Sequence, residues 1–264
     1  MEKYYVVSFS GGKDSTAMLL RLLELGEPIN EVVCCDTYKE FPQMYEHIEK
    51  VKKIVEDKGI KFTTLRNERT FDQWMFEYKP KRRNPEAFKS KYGEASGKSW
   101  ATHRARWCTG ELKIKLMDRY FKELSQKYII VNYVGIAADE EYRLERENQK
   151  IGNKIFPLVN WGWAEADALN YCYSLGYDWG GLYKKFRRVS CWCCPLQPLE
   201  ELRILRKDFP DLWEELKDMD RRTWQKFRSD YSVDELDQRF AFEDERITQG
   251  KSIRNREFFT LLKE

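Results

Sequence analysis

The chain has 264 residues and carries 47 lysines and arginines against 44 aspartates and glutamates, a net charge of +3. So small an excess does not argue for nucleic acid by itself, and a hydrophobic share of 42% beside a charged share of 34% places the chain among soluble globular proteins. The longest uncharged apolar stretch, 128–138, is far below the ~20 residues of a membrane span, and no signal-peptide pattern opens the chain. A cytoplasmic protein with no membrane partner is expected.

In chain order, β-branched and aromatic runs predict strands over 4–9, 31–36, 61–65 and 129–136. Apolar positions at helical spacing predict helices over 15–25, 42–58 and 110–126. This alternation predicts an α/β fold, a three-layer sandwich with a mostly parallel, doubly wound sheet covered by helices on both faces. Between 79 and 106, nine basic residues stand against two acidic ones with little periodicity, which predicts a long, charged, mobile insertion. From Leu196 onward the sequence turns helical and strongly charged. The expected domains are therefore 1–195, with 79–106 inserted, and a helical C-terminal lobe over 196–264.

The stretch SFSGGKDS, residues 8–15, lies where the first strand gives way to the first helix. There the first-turn N–H groups lack intrahelical partners and point, with the positive end of the helix dipole, at whatever fills the turn. An anion is the natural occupant. The spacing is not that of a Walker A loop, which needs four residues between its first glycine and the closing Gly-Lys-Ser/Thr. SGGKDS resembles instead the pyrophosphate-binding PP-loop motif SGGxDS of the adenine nucleotide alpha hydrolases, here Ser10, Gly11, Gly12, Lys13, Asp14 and Ser15. The resemblance implies that Ser8 and these six residues cradle the β- and γ-phosphates of ATP while an acceptor attacks the α-phosphorus. It further implies that Lys13 neutralises oxygen charge and that Asp14 holds Mg2+.

Three further stretches narrow the resemblance to the phosphoadenosine phosphosulfate reductase family. Asp36, Thr37, Glu40, Phe41 and Pro42 match its DTGxxFPET-like segment, which implies a nucleoside contact for Asp36; a plain helix-entry turn with Pro42 at the first helical position is the alternative. Arg106, Trp107, Cys108, Thr109, Leu112, Lys113 and Ile114 match a region shared with sulfur-incorporating relatives such as DNA phosphorothioation proteins. Gly135, Asp139, Glu140 and Arg143 fit the segment after the fourth strand, and Gly135 and Arg143 enter the expected nucleotide site, whereas Ala137 stands where relatives often have arginine.

The seven cysteines are an odd number in a reducing compartment, so metal, catalysis or burial must explain them. Cys34, Cys35 and Cys172 fall inside strand or helix patterns and read as core. Cys191 and Cys194 stand at CxxC spacing with Cys193 between them, and Cys108 lies in the family-matched stretch. In similar reductases a Cys-Cys pair and a later CxxC hold a 4Fe-4S cluster, which implies Cys108, Cys191, Cys193 and Cys194 as ligands, although Trp107 takes one position of the first pair. Zinc or a persulfide-carrying thiol pair remain alternatives. Of the two histidines, His47 reads as a surface residue of a charged helix, and His103 is merely close to Cys108.

The resemblance implies an ATP-dependent adenylating enzyme for sulfur transfer, with Lys13, Asp14 and Cys108 as catalytic residues. No cysteine follows Cys194, so the C-terminal catalytic cysteine of sulfonucleotide reductases has no match, and a reductase acting with a partner thiol such as thioredoxin is the rival. A nucleotide-sensing partner protein with a structural metal site is the reading of another class. The basic 79–106 segment, with Phe88, Tyr92 and Trp100 interleaved, would contact the phosphates and bases of a nucleic-acid substrate; a solvated loop or a lid over ATP are the alternatives, and a sulfur-donor protein is a further expected partner.

Overall fold

The computed structural model describes residues 1–140, 142–144 and 153–252. Its elements in chain order are β1 (Lys3–Phe9), α1 (Lys13–Leu25), β2 (Glu31–Cys35), α2 (Pro42–Asp57), β3 (Lys61–Leu65), a π-helix over Gln73–Glu77, α3 (Pro85–Tyr92), a π-helix over Gly110–Ile114 running into α4 (Lys115–Leu124), β4 (Ile129–Val134), β5 (Asn153–Ile155), α5 (Glu165–Ser174), α6 (Leu199–Asp208), α7 (Pro210–Arg221) and α8 (Val233–Thr248). Shorter helical turns lie between them. The residues 253–264 of the predicted C-terminal lobe fall outside the described residues.

The five strands form one all-parallel sheet in the order β3-β2-β1-β4-β5. Parallel strands need crossovers, and a sheet covered on both faces reads as continuous apolar runs. β1 and β2 meet that rule: Val6, Val7, Val32 and Val33 are buried. The chain winds outward from β1 through β2 to β3, then returns to the other side of β1 as β4. With right-handed crossovers this reversal sets helices on both faces, and it leaves a crevice at the carboxyl ends of β1 and β4. β5, only three residues long, was not expected from the sequence.

The chain divides into two compact units, 1–68 with 108–191 and 69–107 with 192–264. The division differs from the expected cut at residue 195. The 79–106 segment is not a free insertion in the sheet unit: it is built into the second unit with the C-terminal helices, and it contains α3. The Trp100 indole N–H donates to Asp220 at 2.8 Å, and the ring meets Phe227 edge-on. Phe88 and Tyr92 pack on Trp224, whose indole N–H donates to the Gly97 carbonyl. Leu202, Leu205, Trp213, Leu216, Leu236 and Phe240 supply the helical core. Among the described residues no helix is long and apolar enough to cross a membrane.

Candidate functional site

β1 ends at Phe9 and α1 begins at Lys13, so Ser10, Gly11 and Gly12 make the whole turn. Gly11 takes φ +77°, the left-handed region that glycine favours, and a Cβ there would stand 2.8 Å from both Met44 Sδ and Ile48 Cγ1. Gly12 is the N-cap of α1 and has no side chain to cap the helix, so apart from the Lys13 N–H, which donates to the Tyr183 hydroxyl at 2.9 Å, the first-turn amides face the crevice. The serines shape the loop from within. Ser15 Oγ accepts the Ser10 N–H at 3.2 Å, lies 3.1 Å from Ser10 Oγ and donates to the Gly12 carbonyl at 3.0 Å. Ser8, expected to bind pyrophosphate, is committed elsewhere. Strand alternation turns its side chain to the neighbouring strand, where its hydroxyl donates to Asn132 Oδ1 at 2.8 Å.

Charge gathers at one side of the loop. Lys13 is buried, and its Nζ sits 3.0 Å from Asp14 and 3.0 Å from Glu165 at the start of α5. Burial pushes the Asp14 carboxyl above the usual range, against the pull of Lys13. Asp14, Glu140 and Glu165 each offer a carboxylate oxygen within 4.8 Å of the others. Three hard oxygen donors suit magnesium, so these residues fit the cation that a nucleotide would carry. Arg143 Nη1 donates to both oxygens of Glu140 at 2.7 and 2.6 Å, which ties the guanidinium expected to meet the nucleotide to the carboxylate cluster. Gly135, after β4, serves by its lack of a side chain: a Cβ would stand 3.0 Å from the Cα and N of Ser15. It therefore lets the end of β4 approach the start of α1.

Asp36 builds a turn. Its Oδ1 accepts the Tyr38 N–H at 2.8 Å and the Tyr45 hydroxyl at 3.1 Å, while Oδ2 accepts Arg66 Nε at 3.0 Å. Both oxygens are thus engaged within the chain, and Pro42 stands at the first turn of α2 as the helix-entry alternative requires. Thr37 donates to Glu40 at 2.8 Å just beyond it.

His47 is buried, contrary to the surface position expected from the charges around it. Met44, Ile48, Val51 and Val55 form the inward stripe of α2 at helical spacing, and His47 falls on it. Its Nε2 lies 2.9 Å from Thr16 Oγ1 beneath the loop. Burial, with Lys50 adding to it, pushes the imidazole from its ordinary 6.5 down to about 4. The unfolded chain therefore binds a proton below pH 6.5 that the fold refuses, so this contribution to stability is complete above that pH and is lost as pH falls toward 4. The loss is about 3 kcal/mol for a shift of this size. Urea unfolding at pH 7 and pH 4.5 is expected to show the wild type losing more stability than His47→Leu; equal losses would remove the buried neutral histidine from the account.

The sequence matches the family model of the phosphoadenosine phosphosulfate reductase domain over residues 4–197, well over half of the chain. The chain belongs to this family. Two uncharacterized proteins of Methanocaldococcus jannaschii are similar to it, 28% identical over 222 residues and 26% over 221, each match covering 81% of the chain. The chain spans less than half the length of these relatives, 41% and 47%. Among solved structures, a phosphoadenylyl-sulfate reductase from Candida auris in a phosphate complex aligns with TM-score 0.40 and 18% identity, covering 73% of this chain and 82% of that one. The U34-tRNA thiolase NcsA from Methanococcus maripaludis with its [4Fe-4S] cluster aligns with TM-score 0.40 and 16% identity, covering 82% and 66%.

Cys108 and Cys191 belong to the sheet unit, Cys193 and Cys194 to the second. Cys193 is buried, and Cys191 Sγ lies 3.5 Å from Thr37 Oγ1 and 3.6 Å from Glu40. Cys34 and Cys172 are buried as expected, whereas Cys35 is half-buried. His103 is exposed.

Residues brought to the loop by topology alone were missed from the sequence. Glu165, Trp179 and Tyr183 carry no motif, and Glu140 was noted only as a match to the family segment. The Trp179 indole N–H donates to the Gly11 carbonyl at 2.8 Å, and Tyr183 accepts the Lys13 N–H at 2.9 Å. The one local hint was DWGG, 178–181, in which Trp179, Gly180 and Gly181 all take positive φ.

Proposed function

We propose that the chain is an ATP-dependent adenylating enzyme that activates an acceptor oxygen for replacement by sulfur. The observation that carries this reading is a glycine turn with open first-turn amides, lined by Lys13, at the point where the strand order reverses. In the proposed reaction the acceptor oxygen bonds to the α-phosphorus of ATP as the bond to the β-phosphate oxygen breaks, and pyrophosphate leaves. The amides of α1 and the Lys13 ammonium stabilise the charge that collects on the departing oxygens, which supplies most of the rate. A hydrosulfide then bonds to the acceptor atom that bore the oxygen as the bond between that atom and the oxygen breaks, and AMP leaves carrying the oxygen. Asp14, Glu140 and Glu165 would hold the magnesium ion that shields the phosphates.

The acceptor class that fits best is a nucleic acid. The 79–106 segment concentrates nine basic residues against two acidic ones, and among the described residues no carboxylate lies at ion-pair distance from Lys81, Arg83, Arg104 or Arg106. Trp100 is buried in the second unit, whereas Phe88 and Tyr92 pack on Trp224 and stay half-buried, so this surface offers mainly cationic contacts to phosphates.

Incubation with ATP, magnesium and bulk RNA or DNA is expected to release pyrophosphate, and adding a hydrosulfide source is expected to release AMP in equal amount. Sulfite release from phosphoadenosine phosphosulfate with a dithiol, and none of the former products, would overturn this reading in favour of a reductase. ATP binding with neither product would leave a nucleotide sensor in its place.

A further inference from the structure

The segment 177–183 packs on the glycine loop through two hydrogen bonds that no motif announces. Trp179 holds φ +53°, a left-handed conformation that is strained for a bulky residue. That strained geometry sets its indole N–H on the Gly11 carbonyl and its ring 4.5 Å from His47, which in turn meets Thr16. It also places the Tyr183 ring edge-on against Trp179 at 4.8 Å. The Tyr183 oxygen then accepts the N–H of Lys13, the first residue of α1, and would stand 3.3 Å from a Cβ at Gly12.

A first-turn N–H points along the helix axis into the anion space, so whatever accepts it stands in that space. The phenolic oxygen does so. Because it accepts from Lys13, its own proton is directed away from α1, and among the described residues no acceptor takes that proton. Burial holds the phenol well above its ordinary range, so it stays protonated and able to donate.

We propose that Tyr183 is a phosphate ligand of the loop, accepting the Lys13 amide while donating its hydroxyl proton to an oxygen of the nucleotide's terminal phosphates. This rests on the nucleotide reading above and adds to it a donor from outside the glycine motif. The strained Trp179 turn positions the ring, and the contact selects for a polyphosphate over a monophosphate. A hydrogen bond to a charged oxygen is strong enough to change affinity by about tenfold or more when lost.

Titration calorimetry with ATP, inorganic pyrophosphate and AMP on the wild type and Tyr183→Phe tests this. The variant is expected to lose about tenfold or more in affinity for ATP and pyrophosphate, and little for AMP, with its melting temperature nearly unchanged, a split that a merely structural role would not produce. In the wild type, the Tyr183 ring-carbon resonance beside the hydroxyl is expected to shift on adding pyrophosphate, a measurement that does not depend on the variant folding. Equal or tighter pyrophosphate binding by Tyr183→Phe, or an unmoved resonance in a wild type that binds pyrophosphate, overturns the role of Tyr183 and leaves the nucleotide reading standing. A wild type that binds neither ATP nor pyrophosphate overturns both.

Discussion

Lys13→Ala is expected to reduce pyrophosphate release from ATP at least ~100-fold, the scale seen when one charge-stabilising donor is removed from a preorganised site. The side chain is buried, and its ammonium lies 3.0 Å from both Asp14 and Glu165. It thus stands between the carboxylates and the space in front of the α1 amides. Without it, Asp14, Glu140 and Glu165 are left as three neighbouring carboxylates with less compensation, and their repulsion extends to an incoming polyphosphate. Binding of ATP and stabilisation of the leaving pyrophosphate should therefore fall together. A pyrophosphate assay under saturating and limiting ATP separates the two, and circular dichroism checks that the sheet persists. Undiminished release in the variant would mean that the lysine serves the fold and not the phosphates.

Gly97→Ala is expected to cost at least ~3 kcal/mol and to unfold or loosen the unit formed by 69–107 and 192–264, because it combines left-handed strain with a main-chain collision. Gly97 takes φ +77°, and a Cβ there would stand 1.8 Å from the Met75 carbonyl oxygen. No side-chain rotation relieves such a contact. The π-helix Gln73–Glu77 would have to move, and with it the Gly97 N–H bond to Tyr78 O and the Trp224 indole bond to Gly97 O. Urea unfolding followed by tryptophan fluorescence, with limited proteolysis across 79–106, should show an earlier transition and new cleavage in that segment. A variant as stable and resistant as the wild type would show that the basic segment is not built into the C-terminal helices in this way.

The elements with strong periodicity were legible from the sequence. Four of the five strands and the helices α1 and α2 fall within a residue or two of their expected bounds, because parallel strands buried on both faces leave continuous apolar runs. The third predicted helix, 110–126, splits into a π-helix and α4, a change of hydrogen-bond register that apolar spacing does not reveal. α3 was readable but passed over: Asn84 accepts the Ala87 N–H and Pro85 follows at the first turn, a start signal hidden by the surrounding charge. His47 was misjudged for a similar reason, since the charged residues beside it on α2 obscured a stripe at spacing three and four.

The glycine turn after β1 is a local property, and local properties are written in order along the chain. A β-branched run, two glycines and an apolar helix are enough to specify a turn with open amides, whatever folds around it. What surrounds that turn is not local. Glu165, Trp179 and Tyr183 arrive from more than 150 residues away, and only the return of the chain to the far side of β1 sets them against Lys13 and Gly11. The tertiary structure also gave matched residues partners within the chain: Ser8 meets Asn132, Asp36 its own turn and Arg143 Nη1 Glu140. A motif names the groups that chemistry can use. Packing and hydrogen-bond competition determine which of them are left free to use it.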